Sequence, residues 1–443
     1  MERLRHLPRA LGIPQAARLA AWALAVAGDA ALGLPREWLS RDRAARRARR
    51  RARAVARLAA ALGALKGPFA KAGQFAALRY DVLPAPVARS LAGLRDRVPP
   101  LPFSRVRRAV ERELGGRLES LFADFESEPL GAASIAQVHR ARLPDGEPVA
   151  VKVQYPWLAA SLAADLGLVR ALAALLLPAA PRGLDRRRVF GEFAAGLLEE
   201  LDFEREARVA AEIAANLAGD PQICVPRVFP SHSGRRVLTM SYHPAVPILD
   251  RAGLARLGAD PAAVLEIVGR AYARQVFVDG LFHADPHPGN LFVLDEPGAA
   301  EKPRVLFVDF GLSRRLAPEL RRELRRGIHA VLRRDADAFL GAMDRMRMIA
   351  PGAGARVRGS VEEMLARFGT GDALGVTGSE MRSLKDEAVA LLQRTDGLRL
   401  PMDLLLYAKT MAYVFNLGAE LAPQVDLMKV CLPPLLRFLG QPD

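Results

Sequence analysis

Cysteine is nearly absent from this chain: Cys224 and Cys431 are the two in 443 residues. They lie far apart with no Cys-x-x-Cys spacing, which excludes a disulfide framework and a cysteine-based zinc site. A reduced, cytosolic setting is the expectation. Acidic residues are short relative to basic ones, leaving a net charge of +15. Much of that excess sits between Arg41 and Arg57, where nine arginines meet one aspartate. Alanine-interleaved and free of Pro and Gly, this run reads as a helix that attracts a polyanion, or else as a solvated helix face. It holds no aromatic residue for base stacking, so specific nucleic-acid binding is the weaker option. Long apolar runs are lacking too. Leu19–Leu34 is short and broken by Asp29, and Pro401–Leu439 is broken by Asp403, Lys409, Glu420, Asp426 and Lys429. Neither a signal peptide nor a membrane span is expected. The tail reads as amphipathic helices that pack on the body or rest on a bilayer surface.

The most informative residues are His283-Ala-Asp285-Pro-His287-Pro-Gly-Asn290, followed by Asp309-Phe310-Gly311. An aspartate with an asparagine five positions on, then Asp-Phe-Gly, is how protein-kinase-type sites hold a nucleotide's metal ions. Asp285 would orient or deprotonate a hydroxyl, while Asn290 and Asp309 would carry Mg²⁺. Strand-like residues border both pieces (Leu291–Leu294 and Val305–Val308). The competing reading, His283-x-Asp285-x-His287 as a metal-ligand cluster, lacks further histidines in ligand spacing: His6, His139, His232, His243 and His329 are scattered.

Upstream, the pattern changes from helix (Phe103–Leu121) to three strands between Leu130 and Gln154, with Ile135–Arg142 and Pro148–Gln154 joined by a Pro144-Asp145-Gly146 turn. The loop Gly131-x-Ala133-Ser134-x-Ala136-x-Val138 has the register of a glycine-rich phosphate loop, with alanine where two glycines belong. Val149-Ala-Val-Lys152 follows at the spacing of the strand that carries the phosphate-pairing lysine. That lysine needs a carboxylate on a helix, and Glu206 is the choice from the helical stretch opening at Glu199. Apolar helices over Leu158–Leu177 and Arg187–Leu198 fill the long interval between the two. Strand candidates follow at Val225–Phe229 and Arg236–Met240, then Met240-Ser241-Tyr242-His243 as the segment that would hydrogen-bond adenine through its backbone. Beyond Gly311 the pattern is helical. Ala317-Pro318-Glu319 lies too close to the Asp-Phe-Gly to end a peptide-docking segment, and Pro318 reads as the start of a helix. The resulting expectation is an α+β, protein-kinase-like bilobal fold: a helical extension over 1–122, a small antiparallel-sheet lobe with a helical insertion over 123–243, and a helical lobe over 244–443.

These residues resemble the UbiB-like (AarF-type) atypical kinases, a family linked to coenzyme Q and prenyl-lipid metabolism. The matches are Lys71-Ala-Gly-Gln74 (the family's KxGQ), the alanine-rich loop Ala132–His139, Val149–Gln154, Glu200-Leu-Asp202 (its ExD), His283–Asn290 and Asp309–Gly311, in order across residues 66–315. The resemblance implies that Lys152 pairs with Glu206 and the nucleotide phosphates. It implies that Lys71, with Gln74 on the same extension, lies against Glu200 and Asp202 where a peptide substrate would sit. Ala133, Ser134, Ala136 and Val138 would cover the phosphates, less flexibly than glycines can. Met240 and Tyr242 would border the adenine. ATP or ADP and Mg²⁺ are the implied cofactors, and ATPase or small-molecule phosphotransferase chemistry the implied activity. The alternative is a nucleotide-gated lipid-binding scaffold with negligible turnover. Expected partners are an anionic membrane surface and a quinone-like or prenyl lipid, with the protein cytoplasmic or peripheral at the inner membrane; self-association as a homodimer is left open. The loop departs from many family members in carrying Ala136 where they have glycine.

Overall fold

The computed structural model describes residues 71, 72, 75, 100–176, 186–367, 395 and 397–441. The arginine run Arg41–Arg57, the apolar stretch Leu19–Leu34 and Gln74 lie outside the described residues.

Helix α1 (Phe103–Leu114) leads into the short α2 (Leu118–Leu121). The continuous helix expected over Phe103–Leu121 is interrupted because Gly115 takes φ 73°, a left-handed stop that leaves the chain to restart at Leu118. Strands β1 (Asp124–Ala132), β2 (Ala136–Arg142) and β3 (Pro148–Gln154) form an antiparallel meander. β1 begins six residues before the Leu130 read from sequence. The β2–β3 turn is the expected one, with Gly146 at φ 90°. Alternation along β3 sends Val149, Val151 and Val153 into a core with Val106 and Val110 of α1. By the same period of two, Lys152 faces the opposite side.

Helices α3 (Leu158–Leu176) and α4 (Arg186–Glu200) fill the interval after β3. The helical stretch expected from Glu199 onward is broken at Leu201-Asp202. Helix α5 (Phe203–Leu217) starts afresh with Asp202 as its N-cap, accepting from the Arg205 amide. β4 (Ile223–Cys224) and β5 (Val237–Ser241) follow, and β5 completes the sheet β1-β2-β3-β5. The strand expected at Val225–Phe229 does not form, Pro226 being unable to donate to a ladder. That segment still covers the outer edge of β5 through a bridge from Val228 to Met240 and the bonds Phe229 N to Thr239 O and Ser241 N to Arg227 O.

The larger second half is mostly helical. β6 (Ala245–Pro247), α6 (Arg251–Leu257) and α7 (Pro261–Ala273) precede a π-helical turn, Arg274–Asp279, closed by Gly280 at φ 66°. β7 (Leu281–Phe282), β8 (Leu291–Leu294), β9 (Val305–Phe307) and β10 (Arg314–Arg315) come next, then α8 (Pro318–Arg333), α9 (Ala336–Arg345) and α10 (Gly354–Arg367). The chain returns in α11 (Met402–Leu421) and α12 (Leu427–Leu439). A second sheet has the order β4-β9-β8-β6. Its β8–β9 hairpin is seated on α7, whose Val264, Leu265, Ile267, Val268, Ala271 and Tyr272 join one core with Val414, Phe415 and Leu417 of α11. The tail Pro401–Leu439 therefore packs on the body. No described helix is long and apolar enough to cross a membrane.

Leu427 at the start of α12 is admitted by two glycines. A Cβ at Gly269 of α7 would lie 2.8 Å from it, and one at Gly418 of α11 2.7 Å. Gly269→Ala should cost about 1–3 kcal/mol by overpacking. Gly167→Ala, at an exposed position of α3 with nothing within 4 Å of the new methyl, should be neutral or stabilising. Urea unfolding of the two variants checks the contrast; equal stabilities would contradict the three-helix contact.

Candidate active site

Helix α5 brings its N-cap and three residues of its first turn to the site. Asp202 caps it. Phe203, fully buried, lies under the Lys152 ammonium at 5.0 Å from its ring centre. Arg205 donates to the carbonyls of Gly311 (3.2 Å) and Ser313 (3.0 Å). Glu206 accepts from Lys152 Nζ through both oxygens at 2.8 Å. The same ammonium donates to Asp309 Oδ1, also at 2.8 Å. Thus β3, α5 and the segment after β9 meet at one nitrogen. Asp309 sits at φ 66° and ψ 72°, a left-handed conformation that costs a non-glycine residue free energy and persists where surroundings impose it. Lys152 on its side chain and Arg205 on the carbonyls beyond it supply that imposition. Glu199 at the end of α4 pairs with both Arg205 and Arg314, fastening the helical insertion to the same segment.

The catalytic-type loop is set from beneath by the π-helical turn. Gln275 Oε1 accepts from the His283 amide at 2.9 Å. His283 Nε2 faces the Val308 carbonyl at 3.0 Å, so this nitrogen carries the proton. Nδ1 then accepts from Tyr272 Oη (3.2 Å) and the Asp285 amide (3.3 Å). With both nitrogens spent, His283 is a framework residue, and the reading of His283-x-Asp285-x-His287 as a metal cluster loses its first ligand. His287 shapes the turn, its Nδ1 accepting from the Gly289 amide at 3.1 Å. Asn290 Nδ2 donates to the Asp285 carbonyl at 3.1 Å and grazes Asp285 Oδ2 at 3.4 Å; its own amide oxygen is not spent on these bonds.

Two further lysines enter the cleft. Lys71 pairs with buried Glu200 at 2.7 Å. Ala72 and Phe75, beside it, pack on Phe193 and Leu197 of α4, which seats the extension over the insertion. Asp202, expected beside Glu200 as a partner of Lys71, spends its Oδ1 on capping α5. Lys409 of α11 donates to Asp285 Oδ1 at 2.7 Å. Sequence reading missed this contact, treating Lys409 only as a charge that interrupts an apolar tail. A signal was available: the chain holds seven lysines against 57 arginines, so a lysine marks a position where an arginine was not taken.

The alanine-rich loop is pinned. The Ala133 amide donates to the Ala136 carbonyl, Tyr155 Oη donates to the Ala133 carbonyl, and Ile135 plugs a cluster with Tyr155, Leu158, Phe203 and Leu238. Among the described residues Ser134 Oγ is buried without a hydrogen-bond partner. Val138 lies directly opposite Lys152 across the β2–β3 ladder. In the segment after β5, the Ser241 and Tyr242 amides are committed to the Arg227 and Pro148 carbonyls. An adenine taking an amide there would use His243 rather than Tyr242. The Met240 side flanks the same turn, and Arg140 covers the Tyr242 ring at 4.8 Å.

Among the described residues no group of three or more His, Cys, Asp or Glu could hold a metal unaided. Asn290 and Asp309 offer two oxygen donors, the kind of set with which Mg²⁺ is held when water and phosphates complete its shell. Burial works against charge at Asp309, but Lys152 outweighs it and holds the carboxyl far below the usual range. Burial likewise opposes charge at Asp285, where Lys409 wins and lowers the pKa. At Glu206 burial prevails over Lys152 and pushes the carboxyl up to about 7. Burial raises Glu200 as well, against the pull of Lys71.

Removing the shared ammonium strands Glu206, only 2% exposed, beside an Asp309 whose side chain is 47% exposed and partly screened. Lys152→Met should therefore destabilise by about 3–5 kcal/mol at pH 8. The sign of its pH dependence follows from Glu206. A carboxyl whose folded pKa lies above its unfolded value favours folding below the unfolded pKa and loses that contribution as pH rises through the folded one. Without Lys152 the folded pKa of Glu206 rises further, so the penalty should shrink at pH 5.5. Urea unfolding at both pH values is the measurement; a pH-independent penalty would show that Glu206 does not rest on Lys152.

Three comparisons with known proteins agree with this geometry. Residues 93–343 match the family model described as the ABC1 atypical kinase-like domain. A protein from Marinobacter nauticus named "Probable protein kinase UbiB" is 33% identical over 374 residues, covering 82% of this chain and 66% of that protein. The chloroplastic "Protein ACTIVITY OF BC1 COMPLEX KINASE 8" of Arabidopsis thaliana is 31% identical over 401 residues, covering 84% of this chain and 52% of that protein. The chain thus spans between about half and two thirds of the length of these relatives. Among solved structures, an erythromycin complex of Rv3197 from Mycobacterium tuberculosis aligns with a TM-score of 0.56 at 27% identity, covering 78% of this chain and 85% of that one. The chain belongs to the ABC1, or UbiB/AarF-type, family of atypical kinase-like proteins.

Proposed function

We propose that this protein binds Mg²⁺-ATP in the cleft around Lys152 and uses it for ATP hydrolysis or for phosphoryl transfer to a small molecule, beside a membrane and in support of ubiquinone or prenyl-lipid metabolism. The observation that carries the reading is the Lys152 ammonium held between Glu206 and Asp309, with Asp285 and Asn290 across the cleft. Lys152, aimed by Glu206, would hold the α- and β-phosphates. The Ser134 hydroxyl and the pinned loop around Ala133 and Ala136 would lie over them. Asn290 and Asp309 would hold Mg²⁺, which supplies neutralisation of the phosphate charge. Asp285, kept ionised by Lys409, would orient a water or small hydroxyl through Oδ2 and accept its proton. Two features support a small acceptor over a protein. Lys71, paired with Glu200, would stand where a peptide approaches, and the stretch after Asp309 pairs at once as β10 with β7 before α8 begins at Pro318. The lipid context rests on the arginine run Arg41–Arg57 and on the family. The names of its relatives refer to UbiB and to the BC1 complex.

ATP hydrolysis measured with and without anionic liposomes tests the reading. Stimulation by liposomes is expected, with near-total loss in Asp309→Asn. Bound nucleotide without turnover under every lipid condition would replace the enzyme with the nucleotide-gated scaffold. Changing several of the arginines between Arg41 and Arg57 to Gln should weaken liposome binding, with the larger effect at low salt, where surface charges are least screened. Unchanged co-sedimentation would make the run a solvated helix face.

A further inference from the structure

Asp285 stands at the point of the cleft where an acceptor would be activated, and the loop that carries it brings no cation of its own. Between His283 and Asn290 the basic side chains are two histidines, one spent on Val308 and Asp285 backbone groups and the other on the Gly289 amide. The cation is delivered from more than a hundred residues away, by α11. That helix is fixed in the core by Leu404, Leu405, Leu406, Val414 and Phe415, so the position of Lys409 is set by packing and not by side-chain wandering. Its ammonium lies 5.4 Å from the Tyr413 ring centre, one turn on, and its side chain is 15% exposed. It holds Asp285 Oδ1 and leaves Oδ2 beside Asn290.

The choice of residue is informative. In a chain with seven lysines and 57 arginines, Lys71, Lys152 and Lys409 all meet carboxylates of this one cleft. A guanidinium would present a planar fork matching both oxygens of a carboxylate, whereas an ammonium is a compact charge that can hold both, as Lys152 holds Glu206, or one, as Lys409 holds Asp285. Holding one oxygen of Asp285 is what leaves the other for an acceptor. Four carboxylates (Glu200, Glu206, Asp285 and Asp309) face these three ammoniums, so deleting one lysine also shifts the charge that meets an incoming metal–polyphosphate.

We propose that Lys409 is a positioning residue of the active site, which clamps Asp285 Oδ1 so that Oδ2 alone meets the acceptor and which serves as the counter-ion of Asp285 until a metal-bound nucleotide arrives. This rests on the reading of the cleft as a site of ATP turnover, and the experiment separates the two. Full-length wild type, Lys409→Met, Lys409→Arg, Asp285→Asn and the Asp285→Asn/Lys409→Met double variant are compared for MgATP turnover, mant-ATP binding and, without nucleotide, Mn²⁺ binding by electron paramagnetic resonance. Lys409→Met should lose about 100-fold in kcat with mant-ATP affinity kept within about threefold, and Lys409→Arg, whose fork would engage both oxygens of Asp285, should lose kcat as well. The double variant should be no slower than Asp285→Asn, because residues that act as a unit are not additive. Mn²⁺ should bind Lys409→Met about fivefold more tightly than wild type, and Lys409→Arg no more tightly, because one positive charge has left the acidic cluster.

Wild-type turnover in Lys409→Met, a fully additive loss in the double variant, or unchanged Mn²⁺ affinity would each overturn the proposal. If wild type binds mant-ATP but never turns it over, the proposed activity falls, and the Mn²⁺ comparison alone decides the role of Lys409: tightening in the methionine variant only sustains the counter-ion contact, and no tightening ends it.

Discussion

A single buried ammonium ties three distant parts of the chain together. Lys152 projects from the middle of β3, Glu206 from the first turn of α5, and Asp309 from the end of the β8–β9 hairpin. Neither Lys152 nor Glu206 is tolerable alone at that depth, since an uncompensated buried charge costs far more than a paired one returns. The pairing therefore fixes where α5 can sit against the sheet. From that placement follow the Arg205 bonds to the carbonyls after Asp309, the strained backbone of Asp309 itself, and the anchoring of α4 through Glu199. A conformation that only tertiary contacts can hold is placed where a metal-bound phosphate would need a carboxylate aimed inward.

The acidic cleft sets a second constraint, which is where its counter-charges come from. β3 supplies Lys152, the N-terminal extension supplies Lys71, and helix α11 supplies Lys409. The cleft thus takes counter-charges from segments far before and far after it in sequence, and neither segment is an appendage in the electrostatic sense. This gives a physical reason, apart from any membrane contact, for the tail Pro401–Leu439 to be amphipathic. Its apolar face joins the core of α7 and the β8–β9 hairpin, and that attachment aims one cation into the cleft.

Much of this was legible in the sequence because the informative residues are local. Val149–Lys152 alternates as a strand, Pro144-Asp145-Gly146 can hardly be other than a turn, and Asn290 and Asp309 flank a hairpin whose strands read clearly, with Asp285 just before it. The pairing of Lys152 with Glu206 could be guessed because few carboxylates open a helix at the right place. What escaped was non-local or set by backbone geometry. The helix over Phe103–Leu121 fails at a left-handed Gly115. The Val225–Phe229 strand is reduced to one bridge by Pro226, although its neighbours still cap the edge of β5. Asp202 turned out to cap α5, a role that needed the break after Glu200 to be visible. Lys409 lies 124 residues from Asp285, and no periodicity connects them.

The alanines of the phosphate-side loop gain meaning from their surroundings. A glycine-rich loop would close over a nucleotide by backbone rotation that a Cβ forbids. Here the loop has already been closed by other means. Ile135 is driven into a hydrophobic cluster and Tyr155 clasps the Ala133 carbonyl, so the chain needs no glycine freedom to reach its place and could not easily leave it. Lys71 on Glu200 does the same on the opposite wall. On the proposed reading, a cleft pinned on both sides would suit a small acceptor that reaches Asp285 after the nucleotide is seated, and would suit poorly a peptide laid along an opened groove.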